Sequence, residues 1–266
     1  MTPSLRRREL LAGCAGAATL ALAGCISSES LDAGESVPLE ADAAAVDAVS
    51  VTTENGDIDT RGESTETVDI DARKRAAGEG DLEDVTVETE QRGGELSLES
   101  EVDSDGGLLS GFDPTPRLTV DLVVPGSGTE TETPDRLEWV TTNGDITAES
   151  VGGEVTAEAT NGDVELDRLT AASVTVDTTN GDVTVDMVDT ADVVVDTTNG
   201  DVELNVPSEA EPELVFDTTN GGVTVEGLDA ERVDTDGSTE TTIGAGTHRI
   251  EVTTTNGDLD IRGREA

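Results

Sequence analysis

The 266-residue chain carries 60 acidic against 15 basic side chains, a formal charge of −45, and only 1 % aromatic residues. Such a charge repels phosphates and excludes nucleic acid as a partner. Lys74 is the sole lysine, and an acidic surface nearly free of lysine suits very concentrated salt, where screening removes most self-repulsion.

Residues 1–24 read as a signal peptide. Arg6, Arg7 and Arg8 form a basic start, and the apolar run from Leu10 to Gly24 is too short to span a bilayer. Arg7-Arg8-Glu9-Leu10-Leu11 resembles the twin-arginine export signal. Leu22, Ala23 and Gly24 before Cys25 resemble a lipobox, in which small residues fit the peptidase and the cysteine thiol takes the lipid. Cys14 lies inside the signal, so Cys25 is the one cysteine expected in the mature chain, and no internal disulfide is possible. Residues 25–45 are rich in Ser, Glu, Asp and Ala without apolar period, and read as an acidic flexible spacer.

Residues 46–263 read as one β-repeat domain. In its irregular half, 46–136, short alternating runs include Val68 with Ile70, Val85 with Val87, Leu96 with Leu98, and Leu118 to Val124. Ser104 to Pro116 reads as a loop with an apolar patch at Leu108, Leu109 and Phe112. This half looks like the capping end of a stack.

The regular half, 137–263, repeats one phrase around Asn-Gly. TTNGD begins at Thr141, Thr178 and Thr197, ATNGD at Ala159, and TTNGG at Thr218. The corner asparagines are Asn143, Asn161, Asn180, Asn199 and Asn220, with steps of 18, 19, 19 and 21, and outlying copies at Asn55 and Asn256. A fixed period near 19 marks a repeat architecture. Apolar residues stand six and four positions before each Asn, as Val174 and Val176 do, and three and five after it, as Val183 and Val185 do. Each unit is thus two short strands with one apolar face, joined at Asn-Gly. Gly237 to Gly246 reads as a degenerate corner, and Asn256 to Gly263 as the unit that closes the stack.

Two all-β folds fit. Asn-Gly suits the type I′ turn of an antiparallel hairpin meander, in which Val176 faces Val185. In a β-solenoid of ~19-residue repeats it is instead a corner. Burial favours the solenoid, because a meander leaves a long apolar face uncovered, whereas a solenoid turns that face inward. Units then stack about 4.8 Å apart and the asparagines form ladders.

An early NGD unit, irregular strands, the run Leu118–Pro125 and tandem NGD units together resemble the DUF4097 family of β-strand-repeat proteins, labelled as candidate adhesins. The resemblance covers roughly Ala45 to Gly263. It implies a β-solenoid in a cell-envelope setting and brings no catalytic residues. Gly222 departs from the NGD phrase, and the 88 residues from Asn55 to Asn143 hold no second copy.

Catalysis has few means here. His248 is the only histidine, so a nucleophilic triad and a zinc site lack partners. Trp139 and Phe216 fall on inward positions and read as core. The sharper chemistry is cation binding. Stacking would align Asp145, Asp163, Asp182 and Asp201 in one column, and Asp177, Asp196 and Asp217 in another. Calcium takes oxygen ligands of this kind, while the plainer reading is a solvated face with diffuse counterions. No other cofactor is implied. The functions that remain are a membrane-anchored extracellular lipoprotein, adhesin-like or structural, with an unidentified envelope partner, and an extracellular carbohydrate-active enzyme on a β-helix scaffold.

Overall fold

Valine and threonine dominate the repeats, and β-branched side chains fit a pleated, half-buried surface. The structure is a computed structural model and describes residues 33–102, 116–126, 133–228 and 233–265. Among them every regular element is a strand except one 3-10 turn, Ala43–Ala45, and no helix is long and apolar enough to cross a membrane. The signal residues Arg7 and Arg8, the lipobox Leu22, Ala23 and Gly24, Cys25, and nearly all of the Ser104–Pro116 loop lie outside the described residues.

The irregular half forms β1 (Ala33–Asp42), β2 (Ala48–Asn55), β3 (Ile58–Glu63), β4 (Thr67–Ala76), β5 (Val85–Arg92), β6 (Glu95–Val102) and β7 (Arg117–Pro125). The tandem repeats form β8 (Arg136–Asn143), β9 (Ile146–Glu149), β10 (Gly152–Asn161), β11 (Val164–Asn180) and β12 (Val183–Met187). They continue as β13 (Asp192–Asn199), β14 (Val202–Pro207), β15 (Pro212–Asn220) and β16 (Gly222–Glu226). Last come β17 (Val233–Asp236), β18 (Thr239–Thr242), β19 (His248–Asn256) and β20 (Leu259–Arg264).

Strands on the two sides of an Asn-Gly pair lie in different ladders. Val176 sits between Ala157 and Val195, and Val185 between Leu166 and Leu204, all in parallel register. The Val176–Val185 pairing of a hairpin is not made. The first ladder runs β5–β6–β2–β8–β10–β11–β13–β19–β15–β18. The second runs β1–β4–β7–β3–β9–β11–β12–β14–β20–β16–β17. The long β11 serves both and bends at Arg168, whose φ is 53°. Among the described residues antiparallel pairing is confined to the ends of the ladders, at β5, β1, β4, β17 and β18.

The inward faces of both ladders make one apolar core. Val174, Val176, Val183, Val185 and their counterparts are all buried, as the alternation requires. Burying each such side chain stabilises by about 1.5–3 kcal/mol. Trp139 is fully buried with Ala157 in register beside it, so a small neighbour leaves room for the indole. Phe216 is buried likewise.

Residues 33–42 are not spacer. They form β1, paired with β4 from Ala33↔Ala76 to Asp42↔Thr67. An edge strand is held by its backbone ladder, so its apolar period is weak. Pro38 and the exposed Glu35 and Glu40 discourage further pairing on that edge.

The order in space also departs from the order in sequence. The Asn256 unit, β19–β20, does not close the stack. It lies between the Asn199 unit, β13–β14, and the Asn220 unit, β15–β16. After β16 the chain runs outward as β17, turns a corner at Gly237–Ser238, returns as β18, and then enters the stack. An outermost unit leaves its backbone unpaired, and the antiparallel β17 and β18 cover that edge.

The interposed unit also breaks the second aspartate column expected from the sequence. Asp196 and Asp217 are not neighbours, because Thr253 of the interposed unit sits between them. The row is Glu158, Asp177, Asp196, Thr253 and Asp217.

Candidate functional site: the Asn-Gly-Asp edge

Corners interrupt the strand ladders, and any backbone group they bury needs a partner. The repeated phrase supplies these partners residue by residue. The corner glycine donates its N–H to the Asn carbonyl of the next unit, as Gly162 does to Asn180 at 3.0 Å and Gly181 to Asn199 at 3.1 Å. The aspartate N–H turns to the carboxylate of the preceding unit. Asp163 donates to Asp145 Oδ1 at 3.0 Å, Asp182 to Asp163 and Asp201 to Asp182 at 2.8 Å, and Asp258 to Asp201 at 2.9 Å. Asp145 donates likewise to Asp57 at 3.2 Å, and Gly222 to Asp258 at 2.8 Å. The first threonine of the phrase points inward. Thr141 and Thr178 donate their hydroxyls to the carbonyls of Gly56 and Gly162.

Glycine is required by close approach. A Cβ on Gly181 would lie 1.9 Å from the Gly162 carbonyl oxygen, and one on Gly200 the same distance from that of Gly181. Gly56, Gly144 and Gly162 also hold φ between 151° and 159°.

The asparagine side chains form one directed ladder. Asn143 donates to Asn55 at 2.8 Å, Asn161 to Asn143, Asn180 to Asn161 and Asn199 to Asn180 at 3.0 Å. Asn256 donates to Asn199, and Asn220 to Asn256, at 2.8 Å. Every predicted corner asparagine is therefore brought into a single column. The second threonine of the phrase adds a parallel exposed column of Thr142, Thr160, Thr179, Thr198, Thr255 and Thr219. The sequence signal for this column was the same period, read one position earlier.

The four aspartates considered for a cation, Asp145, Asp163, Asp182 and Asp201, do form one column, continued by Asp57 and Asp258. Each commits one oxygen to a backbone N–H. Among the described residues no three His, Cys, Asp or Glu side chains gather as a metal-binding group. The edge therefore offers rows of hydroxyls, amides and single carboxylate oxygens at the spacing of the units.

Charge is also perturbed away from this edge. Burial pushes the Asp59 carboxyl up, and Asp121, its partner across the ladder, adds to the rise. Arg73 offsets part of this charge by pairing with both Asp71 and Asp121. The hydrogen bond from Arg262 holds Glu203 below its usual range and raises the Arg262 guanidinium. His248 meets Thr190 Oγ1 through Nε2 at 2.8 Å, which fixes the start of β19 to the loop before β13.

A family profile, Toastrack DUF4097, matches residues 35–262. No curated protein sequence matches the chain. Similar solved structures include a candidate cell adhesion protein from Clostridium sporogenes, with TM-score 0.44 and 11 % identity over 87 % of this chain and 100 % of that one. A candidate adhesin from Bacteroides fragilis has TM-score 0.45 and 10 % identity over 85 % and 97 %. A candidate lipid binding protein from Parabacteroides distasonis has TM-score 0.37 and 10 % identity over 86 % and 96 %.

Proposed function

The chain belongs to the Toastrack DUF4097 family, and we propose that it is a β-solenoid lipoprotein of the cell envelope. Lipid on Cys25 holds it at the extracellular face of the membrane after export through the Arg7-Arg8 signal. It acts there as a binding or structural surface, and not as an enzyme. One acyl chain binds a membrane only marginally, so the anchor is diacylated. The acidic surface adapts it to concentrated salt and keeps it off nucleic acid.

The observation that carries this reading is the exposed edge, where threonine and asparagine columns continue across successive units. Repeated uncharged donors and acceptors on a rigid edge suit an extended polar ligand contacted unit by unit. Photo-crosslinking on intact cells from positions in the Thr142–Thr219 column tests it. An envelope polymer or surface protein captured from that column, and absent when probes sit on the opposite corner at Asp189, supports the reading. Equal capture from both corners refutes it.

A further inference from the structure

In a simple repeat stack each unit lies beside its neighbours in sequence. The units of Asn143, Asn161, Asn180 and Asn199 obey this, with contacts between asparagines 18 or 19 residues apart. The Asn256 unit does not. Its asparagine bonds Asn199 across 57 residues on one side and Asn220 across 36 on the other.

The geometry of the neighbours reserves this position. The Asn199 and Asn220 units are consecutive in sequence yet separated in space by one unit. The step between them is 21 residues, and two more residues lie between Leu204 and Leu214 than between Val185 and Val193. That extra length lets the chain pass over one position. The passing segment also receives the inserted unit: Ser208 donates its N–H to the Arg264 carbonyl at 2.8 Å, and Thr247 donates to that of Glu211 at 2.8 Å. Gly222 agrees with the order. A corner carboxylate serves the N–H of the next unit outward, and the Asn220 unit is the outermost of the repeats, so glycine there wastes no acceptor.

Charge matches the insert to its slot. Residues 137–227 hold one basic residue, Arg168, among many acids. The inserted unit carries Arg249, Arg262 and Arg264, which pair with Glu213, Glu203 and Asp186 respectively. These carboxylates belong to units on both sides of the slot.

We propose that the Asn256 unit is a late-inserting wedge. The tandem units of Asn143 to Asn199 and the β17–β18 cap form first and leave the slot open, and residues 248–264 enter after them and lock the two parts together. Closing the long loops to Asn199 and Asn220 costs more chain entropy than the local stacking of the tandem units, whose asparagines lie 18 or 19 residues apart. The two amides Gly200 N–H and Val202 N–H, which donate to the Asn256 and Asp258 carbonyls, report the state of the slot.

Pulsed hydrogen exchange during refolding of the whole protein tests this. Amides of β8–β12 should be protected first, then β15–β18, and those of β19–β20 last, together with Gly200 and Val202. Protection of β19–β20 with or before β15–β18 would overturn the proposal. A variant avoids reliance on kinetics. A Cβ on Gly257 would lie 1.9 Å from the Gly200 carbonyl oxygen. Gly257→Ala should leave β8–β12 protected at equilibrium while β19–β20 and the slot amides exchange freely. Loss of protection throughout the chain, in place of loss confined to the slot, would overturn it as well.

Discussion

Asn256 donates its side-chain amide to Asn199 at 2.8 Å, although 57 residues separate them. This bond places the C-terminal unit inside the stack and makes its loss unlike the loss of an end unit. Deleting residues 174–192 removes one unit of regular step, and Val155 and Val193 present the same inward face to re-pack. A folded, shorter protein is expected, with a cooperative melt. Deleting 248–265 opens the edges of both β13–β14 and β15–β16. The expected result is a larger loss of stability than the longer deletion causes, together with concentration-dependent association through the open edges, read by light scattering.

The corner phrase ranks its own substitutions. Gly181→Ala puts a methyl 1.9 Å from a backbone oxygen that cannot move without breaking the ladder. A loss of about 3 kcal/mol or more is expected. Asn180→Ala removes two exposed side-chain hydrogen bonds, to Asn161 and from Asn199, at roughly 0.5–1.5 kcal/mol each. Urea unfolding of the two variants checks the order. A glycine variant no worse than the asparagine one would remove close approach as the reason for the glycine.

Much of this edge was legible in the sequence, and the illegible part has a definite cause. Val174 and Val176 had to face inward, because period-2 alternation is set by the pleat of each strand. The asparagine column follows from the same register. The roles of the aspartate and first threonine were not legible, since they depend on hydrogen bonds between units and not on apolar pattern. The place of Asn256 was hidden because alternation specifies which face a residue presents, not which unit lies beside it. The 21-residue step and Gly222 were its only traces. β1 escaped because Val37 and Leu39 are half-buried at an edge, where the backbone ladder does most of the holding.

Two carboxylates should respond to pH with opposite sign. Burial and Asp121 raise the Asp59 carboxyl, so the folded state holds that proton more tightly than the unfolded chain. Stability from this group is present below the ordinary carboxylate value of about 4 and falls as pH rises through the raised one. Asp59→Asn should therefore raise the melting temperature at neutral pH and leave it unchanged in strong acid. Glu203 is held low by Arg262, so its contribution is present above its ordinary value and disappears as pH falls through the lowered one. Glu203→Gln should lower the melting temperature at neutral pH only. Melting curves across pH 2–8 read both, and a uniform offset at every pH would contradict the assignment.

Salt should matter more than any single contact. Stacking brings the carboxylates of Asp57, Asp145, Asp163, Asp182, Asp201 and Asp258 to neighbouring units, about 4.8 Å apart. One oxygen of each of the first five takes a backbone N–H of the next aspartate, which offsets part of the repulsion. At about 0.01 M salt the Debye length is about 30 Å, so each carboxylate feels most of the column. The melting temperature should fall steeply as salt is withdrawn, and molar monovalent salt should restore it by screening. Asp182→Asn should lessen the need for salt, because its side-chain oxygen still accepts the Asp201 N–H while the charge is gone. Calcium and magnesium at equal millimolar concentration should restore stability alike. A calcium cage needs six to eight oxygens at about 2.3–2.6 Å, and a single column of carboxylates, each with one oxygen already committed to a backbone N–H, does not enclose an ion. Rescue by calcium far beyond magnesium, weakened by replacing Asp163, Asp182 and Asp201 with Asn, would show instead that the column assembles a specific site.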